Sequence, residues 1–240
     1  MSLAGENIHI GVVLFPQYQL LDAAGPIDYI NSHSHTFCSF FKKDSLIPKA
    51  TTIHWSYIAE TLDLVQPSSG PAQQPTHTFS NPPPDDQLDY LIVPGADPTK
   101  TLSPACIKFF QVIKPKVKAM LLVCVASLLL AQTGILDGHR ICSNKYTLKE
   151  FAGLGMLKKE VAWVGDRRWI IDGNVWSCGG ITGGIDLAAE FARMHFHQEM
   201  TELVKAISEW TPRPEWPDEW AKLVDGVNLG GYYDGIKKFI

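Results

Sequence analysis

The segment that most constrains the fold is 121–131, Leu-Leu-Val-Cys-Val-Ala-Ser-Leu-Leu-Leu-Ala. An apolar run passes through one cysteine and a few small residues into a second apolar run. The whole is too short to span a bilayer, which takes about 20 apolar residues. It reads as a buried strand followed by a buried helix, with Cys124 on the turn between them. Backbone N–H groups at a helix N-terminus lower the pKa of a neighbouring thiol and attract anions. On that reading Cys124 is a nucleophile or an acid–base group. The same pattern also suits a small residue plugging a strand–helix junction, because free cysteine is among the most buried residue types.

Other segments extend the alternation. Residues 8–15, Ile-His-Ile-Gly-Val-Val-Leu-Phe, are almost fully apolar, as a strand covered on both faces should be. Residues 20–30 have helical spacing through Leu21, Ala24, Ile27 and Ile30, and Pro26 implies that this helix begins near it. Phe37, Phe40 and Phe41 suit a helix within 31–50. Residues 53–60 and 88–93 read as strands, and 76–79 as a short strand inside a Pro-rich surface loop over 67–84. Helical spacing starts at 104 and is broken by Pro115. Strand 119–123 leads to Cys124, and the helix from 126 ends at Gly134. Residues 140–143, 161–163, 168–171 and 175–178 read as strands, with Asp172-Gly173-Asn174 as a hairpin turn. A helix from 185 to 194 follows the glycine-rich turn 179–184. Strands alternating with helices imply an α/β sandwich, a mostly parallel sheet with helices on both faces. Ligands then sit beyond the C-terminal strand ends. The loops after Phe15, after Val93 and at Cys124 fall there. One domain is expected over 1–205, with the Trp- and Pro-bearing segment 206–240 as an extension packed on it.

Composition narrows the function. The chain of 240 residues is 45% hydrophobic and 19% charged, which marks a globular protein. A net charge of -4 without a basic stripe argues against a nucleic-acid partner. Residues 1–7 lack the basic-then-apolar layout of a signal peptide. The five cysteines, Cys38, Cys106, Cys124, Cys142 and Cys178, are widely spaced, odd in number and form no CxxC pair. That speaks against a zinc site or a disulfide framework. A reducing cytoplasm, with no membrane partner, is the expected setting.

Several residues invite chemistry. Asp22, alone among apolar neighbours, suits a helix cap; it also suits a cleft acid whose pKa burial raises. Gly95-Ala96 follows a buried strand, where close backbone approach lets N–H groups face an oxyanion; a plain turn is the other reading. The turn 179–184 has neither GxGxxG nor a P-loop lysine, so it reads as close packing near the site, with Thr182 as a contact. His33 with His35, and His195 with His197, are spaced i, i+2, which points them apart on a helix. Neither pair has a third ligand nearby, so no metal is expected. No GxSxG occurs, which disfavours a serine hydrolase elbow. Residue 125 is valine, so a cysteine–histidine pair would need a distant partner such as His77 or His139.

Four stretches together resemble the ThiJ/PfpI superfamily, which shares the class I glutamine-amidotransferase-like fold. They are Val13-Leu14-Phe15-Pro16 with 21–26; Asp89-Tyr90-Leu91-Ile92-Val93-Pro94-Gly95; 123–131 with 134–138; and Asp172-Gly173-Asn174 with 180–186. The resemblance covers residues 8–194 and is nearest to the isocyanide-hydratase-like branch, including its fungal members. It implies a flavodoxin-like three-layer sandwich, usually a homodimer. It implies a nucleophilic cysteine at the elbow, here Cys124, working with an aspartate near the first helix, here Asp22. It places Gly95, Ala96, Val125 and Ala126 at the site as backbone donors, with Ile181 and Thr182 beside them. The branch usually has Cys-Thr-Gly at the elbow, and this chain has Cys124-Val125-Ala126. Many relatives have Pro-Gly-Gly where this chain has Pro94-Gly95-Ala96.

The expectation is a cofactor-free, cysteine-dependent hydratase or lyase acting on a small molecule. One alternative is an isomerase or cyclase on a bulky hydrophobic secondary metabolite, with Asp22 and Cys124 transferring protons. The other is a non-catalytic ligand binder or thiol redox sensor.

Overall fold

A computed structural model describes residues 3–84 and 87–230. Nine strands and seven α-helices are labelled here in chain order. The central sheet has seven strands: β1 (Asn7–Val13), β2 (Thr52–Ala59), β3 (His77–Thr78), β4 (Tyr90–Val93), β5 (Ala119–Leu122), β8 (Trp169–Asp172) and β9 (Val175–Cys178). Their order is β3-β2-β1-β4-β5-β9-β8, parallel throughout except for the β8–β9 hairpin. β4 and β5 at its centre are buried along their whole length, which is why their sequences are unbroken apolar runs. A small parallel pair, β6 (Arg140–Cys142) with β7 (Ala162–Val164), lies apart from it.

The helices are α1 (Leu20–Asn31), α2 (His35–Phe40), α3 (Pro104–Ile113), α4 (Ala126–Leu130), α5 (Lys145–Gly153), α6 (Gly183–His195) and α7 (Gln198–Ser208). Helices pack on both faces of the sheet. α1 and α6 lie against each other and against β4, β5 and β9. α6 comes close because Gly184 has no side chain: a Cβ there would stand 2.7 Å from Val123 Cγ1. α3 turns Phe109 and Phe110 toward Phe15 and Phe79. No helix among the described residues is long and apolar enough to cross a membrane.

Two local expectations change and one holds. α1 does not begin near Pro26; it starts at Leu20 and carries Pro26 inside. Burial of Pro26 under α6 outweighs the loss of one helical hydrogen bond. The helix that starts at 104 stops at Ile113, before Pro115, as the proline implied. α5 and α7 were not expected, since each buries only three residues. Beyond α7 the chain folds back over β8: Trp169 Nε1 donates to Arg213 O at 3.2 Å, and Arg168 N donates to Glu215 O at 2.8 Å.

Candidate active site

Asp22, Gly95, Cys124 and Ile181 meet at the C-terminal end of the sheet. Asp22 comes from the first turn of α1, Gly95 from the loop after β4, and Cys124 from the turn between β5 and α4. Cys124 adopts a left-handed backbone, φ 61°, unusual for a residue with a Cβ. The strain sits on the cysteine itself. Ala126 is already in the helix, so an alanine in place of the elbow glycine costs nothing in backbone conformation.

The elbow is fastened from below. The Cys124 carbonyl accepts from Ser143 Oγ at 3.0 Å and from Asn144 N at 3.4 Å. Cys178 lies underneath, fully buried, donating to Leu122 O at 3.7 Å and accepting from the Cys124 N–H. Above, the Cys124 sulfur accepts from the backbone N–H groups of Ile181 and Val125. Ile181 reaches it with a left-handed backbone of its own, φ 33°.

Asp22 is completely buried. Its Oδ2 accepts from Gly95 N at 3.0 Å. Its Oδ1 is buried and has no hydrogen-bond partner of regular geometry. The Cys124 thiol nonetheless lies close enough to interact with the carboxyl. Burial pushes Asp22 up to about 7, against the smaller opposing pull of the Gly95 N–H and the thiol. Burial also pushes the Cys124 thiol up to about 12, and the neighbouring Asp22 charge adds to this.

The thiol expectation is thereby corrected. A helix N-terminus by itself lowers a thiol pKa, and the two backbone donors do act in that direction. Burial and Asp22 outweigh them. At neutral pH the pair is a protonated thiol beside a carboxyl close to its own midpoint.

Gly95 permits this closeness. A Cβ there would stand 2.8 Å from Asp22 Oδ2, 2.9 Å from Val125 Cγ2 and 3.1 Å from Val125 N. Gly95→Ala must therefore push Asp22 and the elbow apart. We expect a loss of about 1–3 kcal/mol in stability, the usual range for overpacking, and a drop in turnover of at least about tenfold. Thermal denaturation and initial rates check the two effects.

The remaining expected residues divide. Val125 supplies a donor to the sulfur, and its side chain flanks Gly95. Ala96 is buried beside Gly95 in the same loop. Thr182 is exposed, and its hydroxyl accepts from Arg168 Nη2 at 3.0 Å; Arg168 also pairs with buried Asp186. His139 is not beside Cys124 but lies with Lys114 at 2.9 Å and Asp172 at 3.4 Å, while His77 meets Thr76 at 2.9 Å. His33 is stacked on Phe196 in the interior. Ser143 and Asn144 escaped the sequence reading. The only signal was Asn144 as a helix cap, which it is for α5.

The model of the DJ-1/PfpI family matches residues 9–194. Isonitrile hydratase of Pseudomonas putida is 30% identical over 209 residues, 86% of this chain and 80% of that protein. A ThiJ/PfpI family protein of Pseudomonas syringae superposes with a TM-score of 0.67 at 21% identity, over 96% of this chain and 93% of that one. DJ-1beta of Drosophila melanogaster superposes with a TM-score of 0.64 at 15% identity, over 88% and 100%.

Proposed function

The chain belongs to the DJ-1/PfpI family, and we propose that it is a cysteine-dependent hydratase of isocyanides, with Cys124 as nucleophile and Asp22 as its acid–base partner. The observation that carries this reading is the buried pair itself. A thiol that holds its proton faces a carboxyl whose free oxygen, Oδ1, is available to receive it. The likeness to an isonitrile hydratase supports the choice of electrophile.

The proposed steps are these. Cys124 Sγ attacks the terminal carbon of R–N≡C as its proton passes to Asp22 Oδ1. The N–H groups of Ile181 and Val125 offset the charge on sulfur while the proton moves. Asp22 then protonates the same carbon, which gives the thioimidate R–N=CH–S on Cys124. Water adds to that carbon, with Asp22 again taking a proton. Asp22 passes that proton to the nitrogen, and as the C–S bond breaks the hydroxyl proton of the adduct goes by way of Asp22 to the sulfur, so that R–NH–CHO leaves and the thiol is restored. The sum is R–NC plus water to an N-substituted formamide, which is redox-neutral.

The test is incubation with a series of isocyanides, from small alkyl to bulky aryl, with the formamide followed by mass spectrometry. Turnover with a transient adduct on the Cys124 peptide is the expected result. Neither formamide nor adduct across the series would overturn the reading. The apolar elbow favours a second reading, because Val125 and Ala126 bring no hydroxyl to position water. In it Asp22 and Cys124 exchange protons with a bulky hydrophobic substrate, as an isomerase or cyclase, without a covalent intermediate. Turnover that survives Cys124→Ser but not Asp22→Asn selects that reading.

A further inference from the structure

The strained elbow is tied to the C-terminal extension through one buried ammonium group. Lys145, the first residue of α5, is only 2% exposed, and Asp218 of the extension 3%. An ammonium has three N–H donors. Those of Lys145 face three oxygens: Arg167 O at 2.6 Å, Ser143 O at 3.3 Å and Asp218 Oδ2 at 3.4 Å. Ser143 is the residue whose hydroxyl holds the Cys124 carbonyl.

The same ammonium abuts the loop that carries the second donor. A Cβ on Gly179 would lie 3.5 Å from Lys145 Nζ and 3.8 Å from Ser143 O. Gly179 N is bonded to Arg168 O at 2.7 Å, and Arg168 N to Glu215 O of the extension at 2.8 Å. Next in the loop, Gly180 packs against the Asn144 side chain, and Ile181 follows with its N–H on the Cys124 sulfur. The extension therefore braces both walls of the sulfur site: the elbow through Asp218, Lys145 and Ser143, and the donor loop through Glu215 and Arg168.

We propose that Asp218, Lys145 and Ser143 are positioning residues for the Cys124 thiol, and that the C-terminal extension is part of the catalytic apparatus. A left-handed non-glycine residue persists only where its surroundings over-determine it. Ser143 and Asn144 supply that constraint, and a buried ion pair fixes Ser143 in turn. This inference rests on the reading of Cys124 as the reacting group.

The test compares Ser143→Ala, Asp218→Asn and their double variant in the full chain. The readouts are alkylation of the Cys124 peptide by iodoacetamide at one fixed pH, and kcat and KM on an isocyanide. Each single variant is expected to slow alkylation and lower kcat by about tenfold, the effect of one lost hydrogen bond of ordinary strength. KM should stay within about twofold, since uniform binding is not what is removed. The double variant should be no worse than the slower single one, because residues acting in series do not add. Glu202→Gln, which breaks an exposed pair with Lys205 on α7, outside the extension, serves as the control and should change neither readout.

Additive losses, or an unchanged alkylation rate in Ser143→Ala, would overturn the proposal. If Asp218→Asn fails to fold because it strands a buried lysine, Ser143→Ala alone still decides it. A wild type that alkylates but turns over no isocyanide would count against the hydratase reading and leave the positioning proposal intact.

Discussion

Cys124→Ser is expected to lower isocyanide turnover by about 10⁴-fold or more, as loss of an activated nucleophile does elsewhere. The reason lies in the partner. In the proposed mechanism Asp22, at about 7, accepts a proton from a thiol held at about 12 as the S–C bond forms. A hydroxyl is a far weaker acid, and the same carboxyl cannot draw its proton off at a useful rate. The fold should survive. Serine is close in size to cysteine, and the backbone at this position is held by Ser143 Oγ and Asn144 N rather than by the sulfur. Far-UV circular dichroism and thermal denaturation should therefore match the wild type, while initial rates collapse and the adduct disappears from the Cys124 peptide. Cys178 cannot stand in, since it is fully buried beneath the elbow and donates to Leu122 O. Turnover of the serine variant within about tenfold of the wild type would remove Cys124 from the covalent role.

The inner strands β4, β5 and β9 were legible because they are buried on both faces. Segments such as 88–93 and 119–123 needed no periodicity argument. The strand order was not legible. It depends on parallel pairings between remote residues, such as Ile10 with Trp55 and Leu91 with Met120, and nothing local encodes them. α5 escaped because its buried face is Lys145, Leu148 and Phe151, and a buried lysine reads as a surface residue until Asp218 is placed beside it. Pro26 misled for the converse reason, since its local meaning gave way to the packing of α6 on α1.

At the site, Cys124 and Asp22 were identifiable as residue types in suggestive contexts. Their chemistry was not. The helix N-terminus beside Cys124 argues for an acidic thiol, and the local donors do pull that way. What opposes them is burial and the charge of Asp22, which arrives from α1, far away in sequence. Gly95 had two open readings, oxyanion donor and plain turn. Its N–H donates to Asp22 Oδ2, a role that depends on a contact between two separate loops.

Asp22→Asn separates the two jobs of this carboxyl, because its effects on stability and on chemistry have opposite signs. In the unfolded chain Asp22 titrates near 3.8, and in the fold near 7, since burial penalises its charge. Below 3.8 it is protonated in both states and imposes no penalty. Between 3.8 and 7 the unfolded chain releases its proton and the folded chain keeps it, so stability falls as pH rises. Above 7 the folded state carries the full cost, roughly 4 kcal/mol for a change of that size. Asparagine has no charge to bury, and its oxygen can still accept from Gly95 N. The variant should therefore melt higher than the wild type at pH 8 and lose most of that advantage at pH 4, with curves of Tm against pH that converge at low pH as the measurement. The thiol should become more acidic, because the Asp22 charge no longer opposes its ionisation, and the alkylation profile of Cys124 should move to lower pH. Turnover should nonetheless fall by about 10²- to 10³-fold, the usual worth of a general acid–base group, and the rise of kcat/KM through pH 7 should vanish with it. A variant that is more stable, more readily alkylated and catalytically dead is what a buried proton acceptor requires. If Tm at pH 8 is unchanged and turnover survives, the Asp22 carboxyl is neither strained by burial nor engaged in proton transfer.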